Sequence, residues 1–447
     1  MILPPDAAPL LAALTPIFTQ PTAARFTTLL AAALLATGRR TVANLLRTLG
    51  DLAPGHITSY QRVLSAAHWS GLELGCALAR FLLDHFVPDG PVHLVGDDTV
   101  ESHPGRRVYG KARHRDPVRS SHAYTAWRYG HRWVVIAVLV RFPFATRPWA
   151  LPVLVDLYRS PEADRDEGRR HHTPAQLACR LLRVILIRFP NRTFVFVGDS
   201  SYGTHEVARF CHRHRDRLTL VSKCHPDVNL FHPPPPYTGK GRPRVKGDRL
   251  LKPRQAVAGL RPSSRSRLTV PWYGGGTRQV AVVTGTGHWY KAGHGLVPIR
   301  WVFVEDRTGT HRDEYLFTTD TGFSPTEVIA TYCGRWNIET TFQECRSHLG
   351  LETTRGWCRS TVLRAAPCLF GLYSVVAVLF ATLPESKRTG VVAWPGKVGV
   401  TFSDAVRSVR QWVWAEAVFP QAGLDTDLAK LSPRVRELLL SGLAPAA

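Results

Sequence analysis

The sequence predicts an α/β protein whose amino- and carboxyl-terminal regions are helical. Three observations lead there: Ala and Leu recur at helical spacing through residues 1–88, short apolar runs alternate with helix-like stretches after Pro91, and helical texture returns in residues 363–447. At 447 residues, 44% of them hydrophobic, the chain exceeds one ordinary domain and has ample material for a large core.

In chain order, residues 1–88 form a helical region with helices expected over 8–14, 23–37, 41–49 and 72–86, separated by Gly and Pro. Arg39, Arg40 and the segment 56–62 fall at helix junctions, where they meet either phosphates or solvent. Residues 89–225 read as a mixed sheet, with strands over 92–96, 124–129, 133–142, 193–198 and 218–223 and helices over 174–187 and 204–213. Residues 226–318, rich in Pro, Gly, Arg and aromatic side chains, read as a β-rich insertion with strands over 279–284 and 299–305 and a basic entry, Lys240 to Arg244. In residues 319–362, Ser324 as N-cap, Pro325 in the first turn and Glu327 closing a capping box predict a helix over 325–349. Residues 363–447 are mainly helical in pattern.

Lys and Arg total 57 against 34 Asp and Glu, a formal charge of +23, so a polyanionic partner is expected. Eight Cys without a C-x-x-C pair argue against a disulfide framework and predict a reducing, cytoplasmic setting. The apolar run over 365–383 contains Pro367, Gly371, Tyr373 and Ser374, which predicts a buried helix and no membrane span.

Two acidic turns follow apolar strands: Asp97-Asp98-Thr99 after 92–95, and Asp199-Ser200-Ser201-Tyr202-Gly203 after 193–197. The carboxyl ends of strands in an open α/β sheet are where ligands collect, although Asp also favours ordinary turns. On the predicted helix 325–349, Tyr332, Arg335, Glu339 and Arg346 share one face, because a step of seven residues returns within about 20° of a whole number of turns. Such a face is either solvated or lines a site. Two strand-end acids and one helix acid form a set of hard oxygen donors suited to two Mg²⁺ ions, the arrangement used for phosphodiester chemistry on a polyanion.

At these residues the sequence resembles the DDE transposases of bacterial insertion sequences, the cut-and-paste group whose third-acid helix reads Y-x2-R-x3-E-x6-K. Tyr332, Arg335 and Glu339 match that pattern, Trp336 stands where the group often has Trp, and Arg346 replaces the usual Lys. The likeness covers roughly residues 90–360. It implies an RNase H-like catalytic core interrupted by the β-rich insertion, with Asp98, Asp199 and Glu339 as catalytic metal ligands and Asp97 as the alternative first acid. Asp98 is preferred because the family's Asp commonly precedes Thr; strand alternation lets only one of the pair face the site. The resemblance further implies two Mg²⁺ ions, with Mn²⁺ as substitute, cleavage at the element's inverted repeats, strand transfer into double-stranded target DNA, and a homodimer on DNA. Two rival readings use the same residues: a transposase-derived DNA-binding protein that no longer cuts, and a metal-dependent nuclease without strand transfer.

Further DNA contacts are expected from Tyr332, Arg335, Trp336 and Arg346 on the helix. Arg106, Arg107, Lys111, Arg113, Arg115 and Arg119 beyond the first acid, opposed only by Asp116, are expected to meet phosphates. Trp289, in a Gly-rich stretch, is the candidate for stacking on an extruded base, ahead of Trp272, Tyr290 and Trp301. Cys211, His212, His214, Cys224 and His225 lack zinc-ligand spacing and read as a polar helix end.

Overall fold

The computed structural model describes residues 2–116, 119–121, 123–239, 241–388 and 394–445. Lys240, the first residue of the basic entry segment, lies outside the described residues. The chain divides into two compact units that do not follow sequence order: Met1–Pro88, Asp98–His171 and Thr340–Ala447 form one, and Asp89–Asp97 with His172–Glu339 form the other.

The first unit joins the chain's helical ends to a set of antiparallel strands. Strand β1 (Val92–Ser102) contributes its second half here, beside β2 (Ala112–Arg115), β3 (Trp127–Val140) and β4 (Trp149–Tyr158). β2 and β4 both pair antiparallel with β3. The runs expected separately over 124–129 and 133–142 both contribute to one strand, Trp127–Val140, with Tyr124 in the loop before it. β4 was not anticipated, because Pro152 interrupts its apolar pattern; the register shifts between Ile136 and Ala137, where Ala137 faces Pro152 and the missing N–H is accommodated.

Among the described residues five α-helices precede the strands: Ala8–Leu14, Gln20–Leu35, Val42–Leu49, Ile57–Ser65 and Gly71–Phe86. Thr41 and Ser70 accept from the amides of Asn44 and Glu73 and so cap two of them. Helix Gly71–Phe86 lies close to β4 because Gly75 has no side chain: a Cβ there would meet the Val153 carbonyl oxygen at 2.1 Å. The helix Arg359–Thr382 is long and apolar enough by composition to cross a membrane, yet 67% of its apolar window is buried inside the protein. Ser374 donates to the Pro152 carbonyl at 2.8 Å and ties it to β4.

Arg40, read from sequence as a possible phosphate contact, is buried at 6% exposure and donates to the His348 carbonyl at 3.0 Å. Arg410 from helix Phe402–Val413 likewise donates to the carbonyls of Leu34, Ala36 and His348. Both hold carbonyls at helix ends, and burial lowers the pKa of each to about 10.

In the second unit the first half of β1 pairs parallel with β5 (Phe194–Gly198), and β5 pairs parallel with β6 (Leu218–Lys223). Residues 226–318 supply β7 (Leu230–Phe231), β8 (Ser266–Pro271), β9 (Thr277–Lys291), β10 (Gly295–Asp306) and β11 (Glu314–Thr318). These strands extend the unit's own sheet, since β11 pairs antiparallel with β6, followed by β10 and β9. Helices Pro174–Arg188 and His205–Arg213 follow their N-caps Thr173 and Thr204.

The predicted helix over 325–349 is two helices, Pro325–Gly334 and Asn337–Leu349. Its start is as expected, with Ser324 and Glu327 closing a capping box. The break falls at residues 335–336, where the amides of Arg335, Trp336, Ile338 and Glu339 bond three residues back instead of four. Asn337 secures the turn by donating from Nδ2 to the Gly334 carbonyl at 2.9 Å.

Candidate active site

The parallel pairing of β1 with β5 ends at Gly96 opposite Gly198, so the next residues, Asp97 and Asp199, leave neighbouring strands at the same level. Asp199 sits in a tight turn. The Ser201 amide donates to its Oδ1 at 2.8 Å, and the amides of Tyr202 and Gly203 together with Ser222 Oγ donate to its carbonyl. Gly198 and Gly203 are required by close approach, because a Cβ would fall 2.5 Å from Tyr202 Cβ and 2.4 Å from the Lys223 carbonyl oxygen, respectively.

Helix Asn337–Leu349 brings the third acid to the second unit through its first residues. Arg335 Nη1 donates to Asp97 Oδ2 at 3.0 Å and its Nη2 to Glu339 Oε1 at 2.7 Å. One guanidinium therefore joins two carboxylates that are 242 residues apart in sequence (339 − 97). Burial works against its charge, but Asp97, Tyr332 and Glu339 reverse this and hold it protonated above the ordinary Arg range. Tyr332 is buried; burial raises its phenol pKa and Asp199 adds to the rise, while Arg335 opposes it. Lys223, paired with Glu314 at 2.7 Å, stands 5.9 Å from the Tyr332 ring centre.

Asp98 belongs to the first unit, where Arg132 on β3 donates to its carboxylate. Neighbouring residues of a strand point to opposite faces, so Asp97 and Asp98 serve different surroundings. Arg346, expected beside Glu339 on one helix face, is also in the first unit: it donates to Thr99 Oγ1 and to Glu352 Oε1, the latter at 3.3 Å. Glu339 and Arg346 lie in the one helix Asn337–Leu349 and keep their seven-residue spacing, whereas the turn at 335–336 interrupts the helix between them and Tyr332. Glu352, missed in the sequence, also takes Arg128 at 3.0 Å and the Ser102 amide at 3.3 Å. Its φ of 145° is unusual for a residue with a side chain, and these three partners hold it there. Arg132 was missed as well; it stands with Arg128 and His131 in the polar first half of β3, just before the apolar run that begins at Trp133.

Behind Asp98, Glu101 is 1% exposed and accepts from Trp133 Nε1 at 2.7 Å. Burial, only partly offset by that bond, raises its pKa to about 7. The neighbouring His131 donates from Nε2 to the Tyr109 carbonyl at 2.9 Å, and burial lowers its pKa to about 4.

Of the basic residues beyond the first acid, Arg106, Arg107, Arg113, Arg115 and Arg119 are exposed, the last 4.0 Å from Asp116, whereas Lys111 is half-buried and donates to the Gly105 carbonyl at 2.6 Å. Trp336 is 45% exposed. Trp289 is not presented for stacking: it meets His205 and Phe317 edge-on at ring distances of 5.2 and 5.6 Å, inside the second unit. Trp301 is buried under Gly285, and Trp272 packs against Tyr273 and His311. All eight Cys are free thiols.

Among the described residues no three His, Cys, Asp or Glu side chains already form a cage for one ion. The donor chemistry nonetheless fits a divalent cation: Asp97 and Glu339 are hard oxygen donors that turn one oxygen each toward a single positive group.

Residues 13–279 match the family described as DDE superfamily endonuclease, and residues 248–370 match the one described as "Archaeal putative transposase ISC1217". The chain belongs to the DDE superfamily endonucleases, and the two matches together mark it as a DDE transposase. A similar solved structure is the piggyBac transposase synaptic complex with hairpin DNA, at 11% identity and a TM-score of 0.41, covering 96% of this chain and 77% of that one. No curated protein matches the chain.

Proposed function

We propose that the chain cuts phosphodiester bonds at the ends of a mobile element and joins the freed 3′ ends to target DNA, with Asp97, Asp199 and Glu339 as its catalytic acids. The observation that carries this is the convergence of Asp97 and Glu339 on Arg335, at the strand level where Asp199 also emerges, in a chain of the DDE superfamily. Asp97 is preferred to Asp98 because Asp98 is engaged by Arg132 and points to the other face of β1. An RNase H-like core is supported by the parallel run of β1, β5 and β6 and the antiparallel pair β3 and β4.

The three acids would hold divalent cations, Mg²⁺ or Mn²⁺ in its place, which when bound supply the charge that activates the attacking oxygen and stabilises the leaving one. The chain's own part is positioning. Arg335 and Lys223 are the cations placed to orient phosphate oxygens, and the buried Tyr332 fixes the Arg335 side. Both cleavage and joining are in-line displacements at phosphorus, so one site can serve them in turn. Double-stranded DNA is the polymer that +23 suits, and joining two ends calls for a homodimer on DNA.

The test is incubation of the chain with Mg²⁺ or Mn²⁺ and a duplex carrying the inverted repeats that flank its gene, with and without a target duplex. Cleavage followed by joining is expected. Asp97→Asn, Asp199→Asn and Glu339→Gln are expected to lose cleavage by at least a thousandfold on the order usual for removal of catalytic groups while retaining binding, and Asp98→Asn to keep most of it. Full cleavage by Asp97→Asn with loss in Asp98→Asn would return the first acid to Asp98; binding without any cleavage by the unmodified chain would favour the DNA-binding reading.

A further inference from the structure

The β2–β3 hairpin has two faces of opposite character. The register sets Arg113 opposite Tyr129 and Arg115 opposite Trp127, so these four side chains share one face, while His114, Arg128 and Gly130 share the other. The second face is bound inward: His114 is buried, Arg128 donates to Ser102 Oγ and Glu352, and a Cβ on Gly130 would collide with the Glu101 carbonyl. The first is open. Trp127 is 46% exposed and Tyr129 59%, and Tyr124 in the connecting loop is 66% exposed.

Large exposed rings occur singly on most proteins, but here two share a strand face with two arginines, and a third, Tyr124, precedes Trp127 by three residues in the loop. The Arg113 guanidinium lies 3.9 Å over the Trp127 ring, and neither Arg113 nor Arg115 has an acidic partner among the described residues. Phosphates need only the arginines. Open rings gain from a flat π partner, and a base offers its face only where it is unpaired, because duplex stacking covers it. Trp127 and Tyr129 stand two residues apart on one strand, about 6.6 Å, so each ring has room for its own base.

We infer that the outer face of this hairpin is a stacking platform for unpaired nucleotides of a DNA strand, with Tyr129 and the part of Trp127 that Arg113 leaves exposed under the bases and Arg113 and Arg115 toward the phosphates. The inference rests on the DNA reading above for the identity of the polymer and not on its metal chemistry.

The test is the affinity of the full chain, without divalent metal, for a fluorescent single-stranded oligothymidylate and for a blunt duplex of equal length. The double change Trp127→Ala with Tyr129→Ala is expected to weaken single-strand binding by roughly tenfold or more and leave duplex binding nearly unchanged, while Trp127→Phe retains it. Equal losses on both polymers, or none on the single strand, overturn the inference. Photocrosslinking of the unmodified chain to an iododeoxyuridine oligonucleotide gives a second reading: adducts at Trp127 or Tyr129 support the platform, and adducts confined elsewhere overturn it. A chain that cuts its end duplex but fails these tests loses only the platform; one that passes them and cuts nothing loses only the cleavage reading.

Discussion

Arg335 illustrates how one side chain can be read correctly by type and only partly by place. Its spacing to Tyr332 and Glu339 marks it in the sequence, but nothing in that spacing says that Asp97 is its other partner at 3.0 Å. The choice between Asp97 and Asp98 turns on the same point, because alternation along a strand separates the two side chains but does not say which face is which. Glu101 carries a separate residue-scale consequence. Its carboxyl, with an ordinary value of 4.5, is raised to about 7 by burial, so its contribution to stability is fully present below pH 4.5 and is lost as pH rises through about 7. Glu101→Gln keeps an oxygen for Trp133 and has no proton to lose. Urea unfolding at about pH 5 and pH 8 should show the unmodified chain losing about 2 kcal/mol relative to the variant over that interval; parallel behaviour of the two proteins would contradict the assignment.

At the scale of elements, local signals were legible where capping chemistry was explicit and failed where packing overrode them. Ser324, Pro325 and Glu327 start their helix as expected, yet the helix breaks at 335–336, where Arg335 is engaged by carboxylates of two different segments. β4 escaped notice because Pro152 cannot complete a ladder on its own; its partner β3 and the helix carrying Ser374 supply the setting that makes it a strand. Gly75 is the counterpart on the helical side. Gly75→Ala would normally favour a helix, but here the added methyl meets the Val153 carbonyl, so the change should cost about 1–3 kcal/mol. Chemical denaturation measures it, and an unchanged or raised stability would mean that helix Gly71–Phe86 can move off β4 without cost.

For the whole molecule, the +23 charge was the first indication of a polyanionic partner, and it sets how binding should respond to salt. If the exposed arginines contact six to ten phosphates, end-duplex affinity should fall by roughly a thousandfold or more between about 50 and 200 mM salt. Fluorescence anisotropy across that range checks this; a flat response would mean that the basic surface is not where DNA lies.

By itself the sequence determined the chemical inventory: a basic chain, acids after apolar strands, an R-x3-E helix and a resemblance extending over most of the central region. It could do so because residue type, period and capping are local properties. Only the tertiary structure decided that Asp97 rather than Asp98 meets Arg335, that Arg346 is held by Glu352, and that Trp289 is packed while Trp127 and Tyr129 are open. Each of those depends on which distant segment a face is turned toward, and that is settled by packing between residues far apart in the chain.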